Sequence, residues 1–219
     1  MGVSTGGVST GGVSTGGPGT ALTTPVLADA LRRIAAHMET VADALNAADG
    51  ALGDGDLGVT MQRGGRELVK ALPTLPDDVG MALLACAQAV TRVSGSSYGT
   101  LLATGLMAAA KATRGRTEVP WSEISALLAA ALQAMMARGK ASLGDKTVLD
   151  VLDAAAHAVD GVAPAAMLAA VSGAVDATMA RLRGEQAKIG RARIFGERSA
   201  GLDDPGMLAF REILRALAG

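Results

Sequence analysis

"TPVLADALRRIAAHMETVADALNAADG", Thr24 to Gly50, is the stretch that decides the fold. Leu27, Leu31, Ile34, Met38, Val41 and Leu45 recur at alternating spacings of four and three, which is one face of an α-helix. Thr24 followed by Pro25 reads as an N-cap and a first-turn proline. Gly50 reads as the end of the helix. A face this apolar cannot stand alone in water, so it needs partners of the same kind.

The rest of the chain supplies them. Helical periodicity returns over roughly 58–72, 79–93, 98–113, 122–138, 146–160, 165–184 and 204–218. Pro73 and Pro76, Gly95, Gly115 and Pro120, Gly139 and Gly144, then Gly161 and Pro164 fall where those helices should stop. No segment alternates convincingly with period two. Apolar residues make up 49% of the 219, yet aromatics only 2%, so the core must be built from Ala, Leu, Val and Met. That composition suits closely packed helices better than a sheet. The expectation is an all-α chain of about eight helices in one domain, residues 21–219.

Residues 1–20 are a different material. "GVSTG" occurs three times in tandem from Gly2 to Gly16, with nothing large and apolar to bury. A flexible tail is expected there. It has neither the basic start nor the apolar run of a signal peptide. No uninterrupted run reaches the roughly 18 apolar residues of a membrane span. Net charge is −1, so no basic excess points to nucleic acid or an anionic membrane surface. The lone Cys86, in "MALLACAQAV", cannot form an internal disulfide and reads as a small core residue. A cytoplasmic location fits.

Chemistry concentrates just after the first helix. "NAADGALGDGDLGVTM", Asn46 to Met61, holds Asp49, Asp54 and Asp56 among four glycines. Three carboxylates this close repel one another, and a loop that keeps them together usually holds cations. All-oxygen ligands favour magnesium or calcium. The spacing is not an EF-hand: counted from Asp54, the fifth position is Gly58 and the twelfth Gly65. A helix opening near Gly58 offers free N–H groups to an anion. Together these suggest a magnesium nucleotide, while a solvated acidic turn explains the same residues on composition alone.

Three further stretches bear on that choice. "VSGSSYGTLL", Val93 to Leu102, is a Gly/Ser turn running into an apolar helix, open to close approach by a phosphate. "GKASLGDKT", Gly139 to Thr147, is close to a Walker A loop, but Asp145 interrupts it and a helix precedes it where a P-loop needs a strand. "GRARIFGERSAGLDDPG", Gly190 to Gly206, combines arginines and acids before the last helix. His37 and His157 lie on helical stretches and read as structural.

In the order "DxxxxGDGDxGxxM", "YGT", "GxxxxGDKTxxD" and "GRAxxxGERSxGxxDPG", these motifs resemble the L subunit, or nucleotide-binding domain, of dihydroxyacetone kinase. The resemblance runs from about Asn46 to Gly206. It implies an antiparallel eight-helix barrel with the nucleotide, ATP or ADP, at one end. It implies that Asp49, Asp54 and Asp56 hold two magnesium ions, and that Leu57, Gly58, Val59 and Thr60 line the phosphate side. Ser96 and Ser97 fall where the family's Gly/Ser loop meets the nucleotide. Gly139 and Val148 flank base and sugar, and Arg191, Asp204, Pro205 and Gly206 close the site, with Arg191 as the catalytic cation. The family's ketose sits on a separate K-type subunit, which would be this chain's partner; a phosphocarrier protein is a further partner where bound ADP is recharged. Two departures stand out: Leu57 replaces the histidine many relatives carry after "GDGD", and the "SGSSYGT" turn is short. A nucleotide-sensing module that regulates a protein partner is the alternative.

Overall fold

A computed structural model describes residues 19–93 and 95–219. Apart from Gly19 and Thr20, the expected tail lies outside the described residues. Eight α-helices follow one another: α1 (Thr24–Leu52), α2 (Leu57–Ala71), α3 (Val79–Val93), α4 (Ser97–Thr113), α5 (Ile124–Gly139), α6 (Val148–Ala158), α7 (Pro164–Leu182) and α8 (Pro205–Ala218). Each packs on the next and α8 returns to α1, closing an antiparallel barrel.

The opening stretch folds as its periodicity requires. Leu31, Met38 and Leu45 are buried, and Leu27, Ile34 and Val41 pack at the edges of the core. Two details differ. The N-cap is Thr23, not Thr24: its extended backbone places the hydroxyl where Val26 N–H donates to it, and Pro25 remains in the first turn. Gly50 does not end the helix, which runs on to Leu52. A glycine inside a helix costs only about 1 kcal/mol, less than burying Leu52 returns.

Small residues explain the scarcity of aromatics. Ala35 and Ala42 on α1 face Gly65 and Gly58 on α2, each pair seven residues apart and running in opposite directions. A Cβ on Gly58 would lie 2.0 Å from the Ala42 carbonyl oxygen, and one on Gly65 3.1 Å from the Ala35 Cα. The two backbones therefore touch, and neither helix can move without the other. Gly58→Ala should cost about 3 kcal/mol by overpacking, read as a lower urea midpoint at unchanged slope.

The main core lies between α5, α6, α7 and α8 and is built from Leu132, Leu149, Leu152, Val175, Met179 and Met207 with their neighbours. Among the described residues α7 alone is long and apolar enough, by length and composition, to cross a membrane. Here its Met167, Val171, Val175 and Met179 face is buried in the protein core. Cys86 is buried, and burial pushes its thiol up to about 11, as befits a packing residue. Two short strands, β1 (Ala21–Leu22) and β2 (Val119–Pro120), pair antiparallel and pin the start of α1 beside the α4–α5 connection. Two residues are too few to show a period, so no local pattern marks them.

Helix ends otherwise fall within two residues of expectation. The largest shortfall is α6, expected over 146–160 and observed as Val148–Ala158, two residues short at each end. Lys146 has a left-handed backbone, φ 62°, and Thr147 takes the cap, forming a capping box with Asp150.

Candidate functional site

An antiparallel barrel gathers alternate helix termini at each end. At one end α2, α4, α6 and α8 all begin, while α1 and α5 finish there and α3 stops just before Gly95. A cavity of about 540 Å³ opens between them, within the ordinary size of ligand sites.

The acid trio forms one wall. Asp49 lies in the last turn of α1 rather than in a loop, and its Oδ2 accepts from the N–H groups of Asp56 at 2.9 Å and Leu57 at 3.3 Å. Asn46 Oδ1 accepts from Val59 N–H at 3.2 Å. Side chains of α1 thus satisfy the first amides of α2, and Asp56, at the N-cap position, makes no capping bond of its own. Gly55 turns the loop at φ 76°, and a Cβ on Gly53 would lie 2.6 Å from Asp49 Oδ1. The glycines are therefore the spacers that let the acids converge. One carboxylate oxygen each from Asp49, Asp54 and Asp56 falls within 4.8 Å of the others. Charges about 4 Å apart repel by roughly 1 kcal/mol in water and 4 at an effective dielectric of 20. Hard oxygens so arranged fit magnesium.

Around the trio stand the helix starts. Ser96 caps α4, its Oγ accepting from Gly99 N–H at 3.1 Å. Thr147 caps α6, and Val148 and Leu149 enter the wall behind it. Asp204 caps α8, its Oδ2 accepting from Met207 N–H at 3.0 Å. Each helix start is worth roughly 0.3–1 kcal/mol to a nearby anion. Three carboxylates oppose the same anion. A ligand that brings cations and anionic oxygens together reconciles the two demands.

Burial raises the Asp204 carboxyl to about 6, against the bonds from Met207 and Gly206 N–H and the Lys146 charge, which lower it. Burial, with the Asp204 charge, likewise raises the Tyr98 phenol, whose ring lies against Gly206. The folded protein thus holds a proton at Asp204 that the unfolded chain releases near pH 4. Stability from this group is full below about pH 4 and falls as pH rises to about 6. Asp204→Asn keeps a capping oxygen and removes that slope. The stability difference between the two proteins should change by on the order of 2 kcal/mol between pH 4 and 7, in favour of the variant at pH 7, in urea unfolding with chelator.

Arg191 closes the mouth, its guanidinium paired with the Asp54 carboxylate. It sits just before a 3₁₀ segment, Ala192–Ser199, in the long connection between α7 and α8. Of the residues expected at the site, Asp49, Asp54, Asp56, Leu57, Ser96, Ser97, Gly139, Val148, Arg191, Asp204, Pro205 and Gly206 all line the cavity. Gly58, Val59 and Thr60 do not. The helix turns them away: Gly58 is buried against Ala42, and the Val59 and Thr60 N–H groups are spent on Asn46 Oδ1 and Asp56 O. Neither histidine lines the cavity. His37 Nε2 lies 2.9 Å from Glu212 Oε2, tying α1 to α8, and His157 Nδ1 lies 2.9 Å from Asp153 O.

Two cations escaped sequence reasoning. Arg138, in the last turn of α5, lines the wall beside Gly139, and only its place before that glycine could have pointed to it. Lys146 is 1% exposed and does not line the cavity. Its ammonium donates to the carbonyls of Arg183 at 2.9 Å, Glu185 at 2.7 Å and Ser199 at 2.8 Å. The reading that "GKASLGDKT" is no P-loop agrees with that placement.

The model of the DAK2 domain matches residues 51–219. The chain is 31% identical over 195 residues to "PEP-dependent dihydroxyacetone kinase, ADP-binding subunit DhaL" of Escherichia coli, covering 86% of this chain and 92% of that one. It is 34% identical over 195 residues to human "Triokinase/FMN cyclase", covering 85% of this chain and 33% of that one. The crystal structure of the native dihydroxyacetone kinase of C. freundii superposes with a TM-score of 0.71 at 25% identity, over 98% of this chain and 38% of that one. The chain thus spans nearly all of the bacterial subunit and about a third of the longer relatives.

Proposed function

We propose that this chain, which belongs to the DAK2 domain family, is the nucleotide-binding subunit of a dihydroxyacetone-type kinase. The observation that carries the reading is the convergence of Asp49, Asp54 and Asp56 with four helix starts on one cavity. Magnesium is the ion, two per site, because two divalent cations leave the trio net positive toward a polyphosphate; bound there, they neutralise the charge of the transferring phosphoryl group. The starts of α4, α6 and α8 present the nucleotide's oxygens with N–H groups. Gly139 and Val148 receive base and sugar, and Arg191 stands as the cation nearest the phosphate end.

The acceptor is dihydroxyacetone or a related small ketose held by a K-type subunit, with the complex in the cytoplasm. The name of the Escherichia coli relative makes its kinase PEP-dependent and its subunit ADP-binding. By that likeness ADP stays bound and a phosphocarrier protein recharges it; free ATP is the competing donor. Calorimetry of the purified chain with ADP should show binding with magnesium and little with chelator. A coupled assay with a K-type subunit, a panel of trioses and tetroses, and either ATP or a charged phosphocarrier then identifies acceptor and donor. Equal ADP affinity with and without magnesium would refute the reading.

A further inference from the structure

Arg191 lies in a connection of some twenty residues that contains only a short 3₁₀ segment. A stretch of this kind between two helices is ordinarily mobile. This one is cinched. The Lys146 ammonium reaches carbonyls at its beginning, Arg183 and Glu185, and near its end, Ser199. All three N–H donors of the lysine are used, which is the condition for keeping such a charge inside a protein. Around it, Ala187 N–H donates to Ser199 Oγ at 2.9 Å, Ser199 Oγ–H to Gly196 O at 2.6 Å, and Gly201 N–H to Arg183 O at 2.8 Å. Lys188 N–H donates to Asp145 O at 3.1 Å, tying the same segment to the turn that carries the lysine. On its other side Ala187 and Ala192 are buried against Leu52, at the end of α1. The segment is held between the start of α6 and the acid-bearing end of α1, with Arg191 between the two anchors.

We propose that Lys146 is a positioning residue of the nucleotide site: its buried ammonium fastens the 183–199 segment so that Arg191 meets Asp54 at the cavity mouth. The proposal rests on the nucleotide-binding reading above. Its physical basis is a trade that packing alone does not explain. Burial lowers the Lys146 pKa, and Asp204, Asp203 and Glu185 only partly restore it. The lysine also adopts a left-handed backbone that side-chain-bearing residues avoid. A buried charge is weak support for stability, and its better-attested use is to specify one arrangement. Here the arrangement specified is the path of a segment whose carbonyls would otherwise have no common partner.

The test is a double-mutant cycle on ADP affinity in the presence of magnesium. Lys146→Met keeps the length and the apolar stem and removes the ammonium. It should weaken ADP at least tenfold without weakening Mn2+ binding to the acid trio, measured without nucleotide. Arg191→Ala should weaken ADP comparably. The double variant should bind no more weakly than Arg191→Ala alone, since a displaced arginine and a deleted one are equivalent. Unchanged ADP affinity in Lys146→Met, or losses that simply multiply, would overturn the proposal. Should Lys146→Met fail to fold, Ser199→Ala loosens the same segment with the lysine intact. It should give a smaller loss, again absent in the Arg191→Ala background, and a loss that persists there overturns the idea. If the wild-type chain itself bound no ADP, the functional reading would fall first; an affected wild type is thereby separated from an unaffected variant.

Discussion

Asp54→Ala is expected to weaken magnesium-dependent ADP binding by at least a hundredfold, about 2.7 kcal/mol, with the helical fold intact. Changing groups that merely support a metal's ligands typically costs 10–100-fold in metal affinity, so deleting a ligand costs more. Asp54 is also the residue that meets Arg191. On the proposed assignment the substitution therefore removes a metal ligand and the anchor of the closing cation together. Stability should change little, because Asp54 lies in the exposed turn between α1 and α2 and its carboxylate caps no helix. Calorimetry with ADP and magnesium, beside a far-ultraviolet circular dichroism melt, separates the two effects. Undiminished affinity, or a collapsed melt, would each contradict the assignment.

Much of this was legible in the sequence because the signals are local. The α1 face, the proline and glycine stops and the acid cluster each lie within a few residues of one another. Twelve of the residues to which the motifs pointed line the cavity. Gly58, Val59 and Thr60 stand outside the cavity because adjacency in sequence is not adjacency in space: within the first turn of α2 the chain already faces α1. Lys146 was illegible for the opposite reason. A lysine in a polar turn ordinarily lies in water, and its three carbonyl partners lie 37, 39 and 53 residues away. No local pattern encodes a bond of that range. Thr23 and Thr24 were indistinguishable as caps in sequence, and only the extended backbone at Thr23 decides between them.

Mixed alone with ATP, magnesium and free dihydroxyacetone, the purified chain should turn over negligibly, at least a thousandfold below its rate with a K-type subunit. An alcohol is a poor nucleophile at neutral pH and needs both a fixed line of attack and a positioned base, worth 10²–10⁴-fold for the base alone. Among the described residues the cavity wall contains no histidine and no lysine. Its carboxylates are engaged: Asp49 accepts from two backbone amides, Asp54 meets Arg191, and Asp204 caps α8. Asp56 remains, with a carboxylate oxygen within 4.8 Å of those of Asp49 and Asp54, where the proposed magnesium would engage it. The cavity also opens at the end of the barrel, so water competes for the phosphoryl group until something covers the mouth. A partner that carries the ketose supplies cover, line of attack and base at once. Ketose phosphorylation by the single chain at rates near those of the pair, abolished by Asp56→Ala, would show that this chain has an acceptor pocket of its own.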